Sequence, residues 1–136
     1  MSFDLDRFVA AQEGSYDVAL AEITAGAKRS HWMWYIFPQV AGLGHSAMAQ
    51  RYAIGSLAEA QAYLEHPLLG QRLRECAAAL DGLSNTSAER VFGGIDALKL
   101  RSSLTLFEAA GAAFGSTIER WFGERDARTL EILSQA

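Results

Sequence analysis

Cysteine is nearly absent. Cys76 stands alone, which excludes an intrachain disulfide and fits a reducing compartment. Histidine is scarce as well. His31, His45 and His66 show no metal-ligand spacing of the H-E-x-x-H kind, and no second cysteine joins Cys76, so no metal site is expected. Basic residues are outnumbered. Twelve Lys and Arg against 16 Asp and Glu give a formal net charge of -4, and Lys28-Arg29 is too short to count as a basic run. The expectation is no nucleic-acid partner and no membrane surface. Long apolar runs are missing too. Trp32 to Phe37 is ended by Pro38, far short of the roughly 20 residues a span needs. The first residues, Met1 to Asp6, are acidic and amphipathic and lack the basic start and apolar run of a secretion signal. The reading is a cytoplasmic protein. Neither a G-x-S-x-G elbow nor a P-loop occurs.

What is present is material for a core. Half of the 136 residues are hydrophobic, enough for a single helical domain over residues 1–136. Tyr16, Ala19, Leu20, Ile23 and Ala27 recur at helical spacing, as do Leu69, Leu73, Cys76 and Leu80. Cys76 therefore reads as a core residue rather than a nucleophile. Capping residues punctuate the pattern. Asp4 reads as the cap of the first helix and Asp126 as that of the last. Ser56 with Glu59, Thr86 with Glu89, and Ser116 with Glu119 form capping boxes. The expected fold is all-α, a bundle of about seven or eight short helices. At most a minor strand pair is expected near residues 32–40, where Trp32 to Phe37 reads as a short strand or an extended buried segment.

Three places could carry chemistry. In the first, Arg29, His31 and Gln39 accompany Trp32, Trp34, Tyr35 and Phe37. Ring faces for stacking beside a few directed polar groups suit a flat, polar ligand; the same residues also suit an aromatic core segment. The second, Gly42-Leu43-Gly44-His45-Ser46-Ala47, partly matches the dinucleotide fingerprint but lacks its strand-turn-helix setting. It reads either as a plain turn capped by Ser46 or as a rim of backbone N–H groups for an anion. The third is the helix expected over about Ile95 to Ala113. On a wheel of about 100° per residue, Arg101, Thr105 and Glu108 form the solvent face. Asp96, Lys99, Ser102 and Ser103 fall on the side that should be apolar. Burying a charge unpaired is costly, so these residues need an Asp96–Lys99 ion pair, backbone partners or a ligand cleft.

The strings His31-Trp32-Met33-Trp34, Phe37-Pro38-Gln39 with Gly42-Leu43-Gly44, and Lys99-Leu100 with Ser102-Ser103 and Thr105-Leu106-Phe107 are specific. With Arg7-Phe8, Gln12, Tyr16, Glu22, Tyr63-Leu64, His66-Pro67 and Asp96 they cover nearly the whole chain. In them the chain resembles the uncharacterised bacterial family known as domain of unknown function 1810. The resemblance implies an α-helical domain without an established biochemical role. A fainter likeness to helical proteins acting on ADP-ribose or riboflavin-type glycosides is an analogy of build.

Two expectations follow. The His31–Gln39 segment and the Asp96–Ser103 face line one cleft for a small planar anionic, nucleotide-derived molecule. There Trp32 or Trp34 stacks, Lys99 holds the anion, His31 transfers protons, and Gly42, Gly44 and Ser46 close the rim. Alternatively the same aromatics form the contact patch of a protein-interaction module. The sequence names no cofactor, no oligomeric state, and no reaction.

Overall fold

Ten helices follow one another along residues 3–135, the part of the chain that this computed structural model describes. They are α1 (Asp6–Gln12), α2 (Tyr16–Ala25), α3 (Met33–Ile36), α4 (Ala47–Arg51), α5 (Leu57–Glu65), α6 (Leu69–Asp81), α7 (Ala88–Phe92), α8 (Gly94–Ala109), α9 (Gly115–Trp121) and α10 (Ala127–Ser134). The expected count of seven or eight falls short, chiefly because the Trp32–Phe37 segment is itself wound.

Capping explains several starts. Ser56 Oγ accepts from Glu59 N at 3.1 Å, while Glu59 Oε1 reaches back to Gly55 N at 2.8 Å. Asp126 accepts from Thr129 N at 3.0 Å. Ser46 accepts from Ala49 N at 3.1 Å. Elsewhere the expected boxes shift. Ser87, not Thr86, caps α7. Asp4 and Ser116 cap nothing, because α1 and α9 begin after Leu5 and Phe114, and neither has a side-chain cap.

The 32–37 segment is one helical turn and not a strand. Ile36 N donates to Trp32 O at 3.1 Å and Phe37 N to Met33 O at 3.1 Å, and Pro38, lacking an N–H, cannot continue the ladder. A strand would send alternate side chains to opposite faces. The turn instead turns Trp32, Met33, Ile36 and Phe37 inward together, and all four are buried. Trp34 and Tyr35 lie half-buried. The strand pair expected near residues 32–40 reduces to one isolated parallel bridge, Val40 to Ile54, with Ala41 N on Ile54 O at 2.9 Å and Ile54 N on Gln39 O at 2.8 Å. That bridge ties the 39–41 loop to the segment after α4.

Helix α8 runs through the core and packs against α3, α5, α7, α9 and α10. Gly93, at φ +85°, makes the sharp break between α7 and α8. Leu100, Leu104, Leu106 and Phe107 are fully buried, and Phe107 meets Tyr63 at 5.0 Å between ring centres. The stripe expected to face solvent is covered. Thr105 is 0% exposed, and its Oγ1 accepts from Asp126 N at 2.9 Å. Arg101 pairs with Asp126 at 3.5 Å. Arg125 grips Glu108 through both terminal and inner guanidinium nitrogens, at 2.7 and 2.8 Å, and holds that carboxyl below its ordinary range. The polar stripe binds the polar segment that leads into α10. Exposure falls instead on Ile95, 75%, and Leu98, 57%.

Candidate functional site

The geometry of the site begins at Glu22, on α2. Its carboxylate accepts from the backbone N–H groups of Arg29 at 2.8 Å and Ser30 at 3.0 Å, from Ser30 Oγ at 2.6 Å, and from the Trp32 indole Nε1 at 2.9 Å. Burial alone would raise its pKa, but the four donors together hold it down at about 2. One carboxylate thus shapes the irregular 29–32 stretch and fixes the Trp32 ring. That ring is 1% exposed and meets Phe92 edge-on at 6.2 Å.

The stretch then delivers Lys28 to α8. Lys28 N donates to Val91 O at 2.8 Å. Its ammonium lies 2.9 Å from Asp96 Oδ2, donates to Ser30 O at 2.5 Å, and sits 4.9 Å over the Trp32 ring. The Lys28 side chain is only 7% exposed. Lys99 reaches the other oxygen of Asp96, at 3.7 Å, with its ammonium 5.2 Å over the Trp34 ring. Two lysines therefore share one aspartate. The nearer, buried Lys28 is its principal partner, and Lys99 adds a second positive charge further out.

Lys99 opens onto a groove of about 280 Å³ between the 39–44 loop and the first turns of α8. Gln39, Leu43 and Gly44 form one wall; Ile95, Leu98, Lys99 and Ser102 form the other. Steric requirements hold the loop in place. A Cβ on Gly44 would stand 2.6 Å from Ala49 Cβ, and Gly42, at φ +103°, passes close to Ile132 of α10. The glycines are explained by close packing and backbone geometry. Ser46 is exposed, and its hydroxyl is committed to capping α4.

The expected constellation is divided by this geometry. Gln39, Gly44, Lys99 and Ser102 come together, with Trp34 beneath Lys99 and Asp96 behind it. His31 does not join them. It is exposed and lines a separate cleft of about 240 Å³ with Gly14, Ser15, Val18, Ser30, Trp32 and Tyr35. Arg29 is exposed and enters through its backbone only, on Glu22. Trp32 has no free face for stacking, and a ligand ring reaching the Trp34 face under Lys99 would have to displace that side chain. Ser102 Oγ donates to Leu98 O at 3.1 Å. Ser103 is fully buried, and its hydroxyl has no protein partner. Sequence reasoning missed Lys28 and Glu22 as organisers. Their one signal was placement, a lysine and a glutamate flanking Gly26 and bracketing the bend that leads to Trp32. It also missed Ile95 and Leu98 as exposed groove walls.

Comparison with known proteins agrees with the fold. The profile of the family described as protein of unknown function (DUF1810) matches residues 2–133, and the chain belongs to that family. The crystal structure of the conserved hypothetical protein Rv1873 from Mycobacterium tuberculosis is similar at 48% sequence identity, with a TM-score of 0.95 and 97% of each chain covered. No curated protein matches the chain. Among the described residues, no helix is long and apolar enough to cross a membrane.

Proposed function

We propose that this protein binds a small anionic molecule in the groove between the 39–44 loop and the first half of α8. The observation that carries the reading is the surplus charge at the rim. Asp96 is already matched by Lys28 at 2.9 Å. Lys99, 3.7 Å from the same carboxylate and with 27% of its side chain exposed, brings a further positive charge to a groove whose other large side chains, Gln39 apart, are the apolar Leu43, Ile95 and Leu98. An anion settling beside Lys99 completes the charge balance, and the apolar side chains of the groove give the rest of the molecule surface to cover. The Trp34 ring beneath the ammonium helps hold it in position, and the Gln39 amide offers a directed hydrogen bond from the opposite wall.

The test is a thermal-shift screen against phosphates, nucleotides and carboxylates, repeated on Lys99→Met. A binder at about a hundredfold excess over Kd stabilises by about 2.7 kcal/mol. Lys99→Met is expected to abolish that gain while changing the free protein's stability by no more than about 0.5 kcal/mol. A screen in which no anion raises the transition, or a rise that survives Lys99→Met, would show the reading to be wrong.

The exposure of Ile95 and Leu98 favours a second reading, a protein-interaction face. Such a face needs about 800 Å² per partner, so it would extend well beyond the groove. Substitutions outside the groove would then weaken partner binding as strongly as those inside it.

A further inference from the structure

We infer that the molecule held in this groove is an aliphatic monoanion, a medium-chain carboxylate, rather than a planar nucleotide. The inference rests on the reading above and specifies its ligand class. Its premises are which apolar surfaces are free and how much charge is unbalanced. No aromatic side chain lines the groove; Trp32 is 1% exposed and edge-packed on Phe92, and the Trp34 face beside it lies under the Lys99 ammonium. The free apolar surface is aliphatic. Ile95 and Leu98 are exposed at 75% and 57% on one wall, and Leu43 faces them from the other. Branched aliphatic side chains gain by covering flexible methylene chains, which follow their uneven contour without the flat slot a base requires. The charge count points the same way. Lys28 and Lys99 against Asp96 leave one positive charge in the triad, which suits a single carboxylate better than a multiply charged phosphate ester. A carboxylate on Lys99 would direct its chain along Leu98 and Ile95, so head and tail preferences belong to one groove.

Calorimetric titration tests this with hexanoate, octanoate and decanoate below their micelle-forming concentrations, and with octanol and adenosine monophosphate as contrasts. The expected result is binding of the carboxylates, tightening by up to about fourfold per added methylene. Octanol is expected to bind at least about tenfold more weakly than octanoate, and adenosine monophosphate not to compete. Lys99→Met is expected to weaken octanoate by at least about tenfold, the worth of about 1.4 kcal/mol. Ile95→Ser with Leu98→Ser, at sites too exposed to unsettle the core, is expected to flatten the dependence on chain length. Other outcomes overturn the inference distinguishably. If adenosine monophosphate binds through Lys99 and octanoate does not, the anion site stands and the aliphatic ligand is wrong. If no probe and no anion of the wider screen binds, both fall. If the chain is a dimer that Leu98→Ser dissociates, the apolar wall belongs to a second copy and the inference fails.

Discussion

Glu22 shows how much a single side chain can organise. Its carboxylate holds two backbone N–H groups, a hydroxyl and an indole, all from a stretch that has no regular ladder of its own to satisfy them. Hydrogen bonds to a charged acceptor contribute about 1.5–3 kcal/mol, so Glu22→Gln, which points an amide N–H at these donors, is expected to destabilise by about 2 kcal/mol or more. The effect depends on pH in a definite sense. The folded carboxyl titrates at about 2 against an ordinary 4.5. The folded state therefore binds fewer protons than the unfolded chain between those values. The contribution is complete above about 4.5 and is lost as pH falls towards about 2. Urea midpoints of wild type and Glu22→Gln should differ most near neutral pH and converge as pH falls through that window. A constant difference across it would show that the carboxylate's charge is not what the donors require.

At the scale of elements, α8 is where charge and core meet, and the two lysines that share its Asp96, Lys28 from the stretch after α2 and Lys99 from α8 itself, should behave differently. Lys28→Met removes the partner that lies 2.9 Å from Asp96 and is 7% exposed, leaving that carboxylate with Lys99 at 3.7 Å. The expected loss is about 2 kcal/mol, from a partly buried charge left under-matched. Lys99→Met leaves the Lys28–Asp96 pair intact and is expected to change stability by no more than about 0.5 kcal/mol. Denaturant titration of the two variants checks the order; equal losses would mean the aspartate needs both lysines. This asymmetry also marks what the sequence could convey. Lys99 and Asp96 were legible because polar groups on an apolar stripe demand a partner, and Gln39 was legible as polarity at the end of an aromatic run. Ser56 with Glu59 and Asp126 were legible because capping is settled within four residues. Lys28 was not, because its partner lies 68 positions along the chain and nothing local distinguishes it from a surface lysine. The solvent face assigned to Arg101, Thr105 and Glu108 failed for a related reason. A helical wheel counts polar groups, but not the Asp126 amide and Arg125 guanidinium that a later segment brings to cover them. His31 and Trp32 were misplaced because a turn at residues 33–36, rather than a strand, decides which neighbour faces inward.

Across the whole molecule, cohesion is uneven, and the groove lies on the boundary between its firm and loose parts. Helix α8 touches α3, α5, α7, α9 and α10, and the buried side chains form one continuous cluster. Opening α8 therefore means opening most of the structure. Helix α4 contains no buried residue. The loop before it is fixed by the Val40–Ile54 bridge, by Gly44 seated on Ala49, and by Gly42 beside Ile132. Amide exchange reports such differences because each hydrogen bond opens at the free energy of the smallest unit that exposes it. The expected pattern places the slowest amides in Leu100 to Phe107, exchanging only through global unfolding, and much faster ones in α4. If the groove holds an aliphatic carboxylate, saturating octanoate should slow exchange through 41–51, the wall least held by the core, and change α6 little, because α6 contributes no residue to the groove. Protection spread evenly over all helices would mean that octanoate binds the folded state without selecting this wall. Protection confined to the Ser15–His31 cleft would assign the ligand to the other cleft.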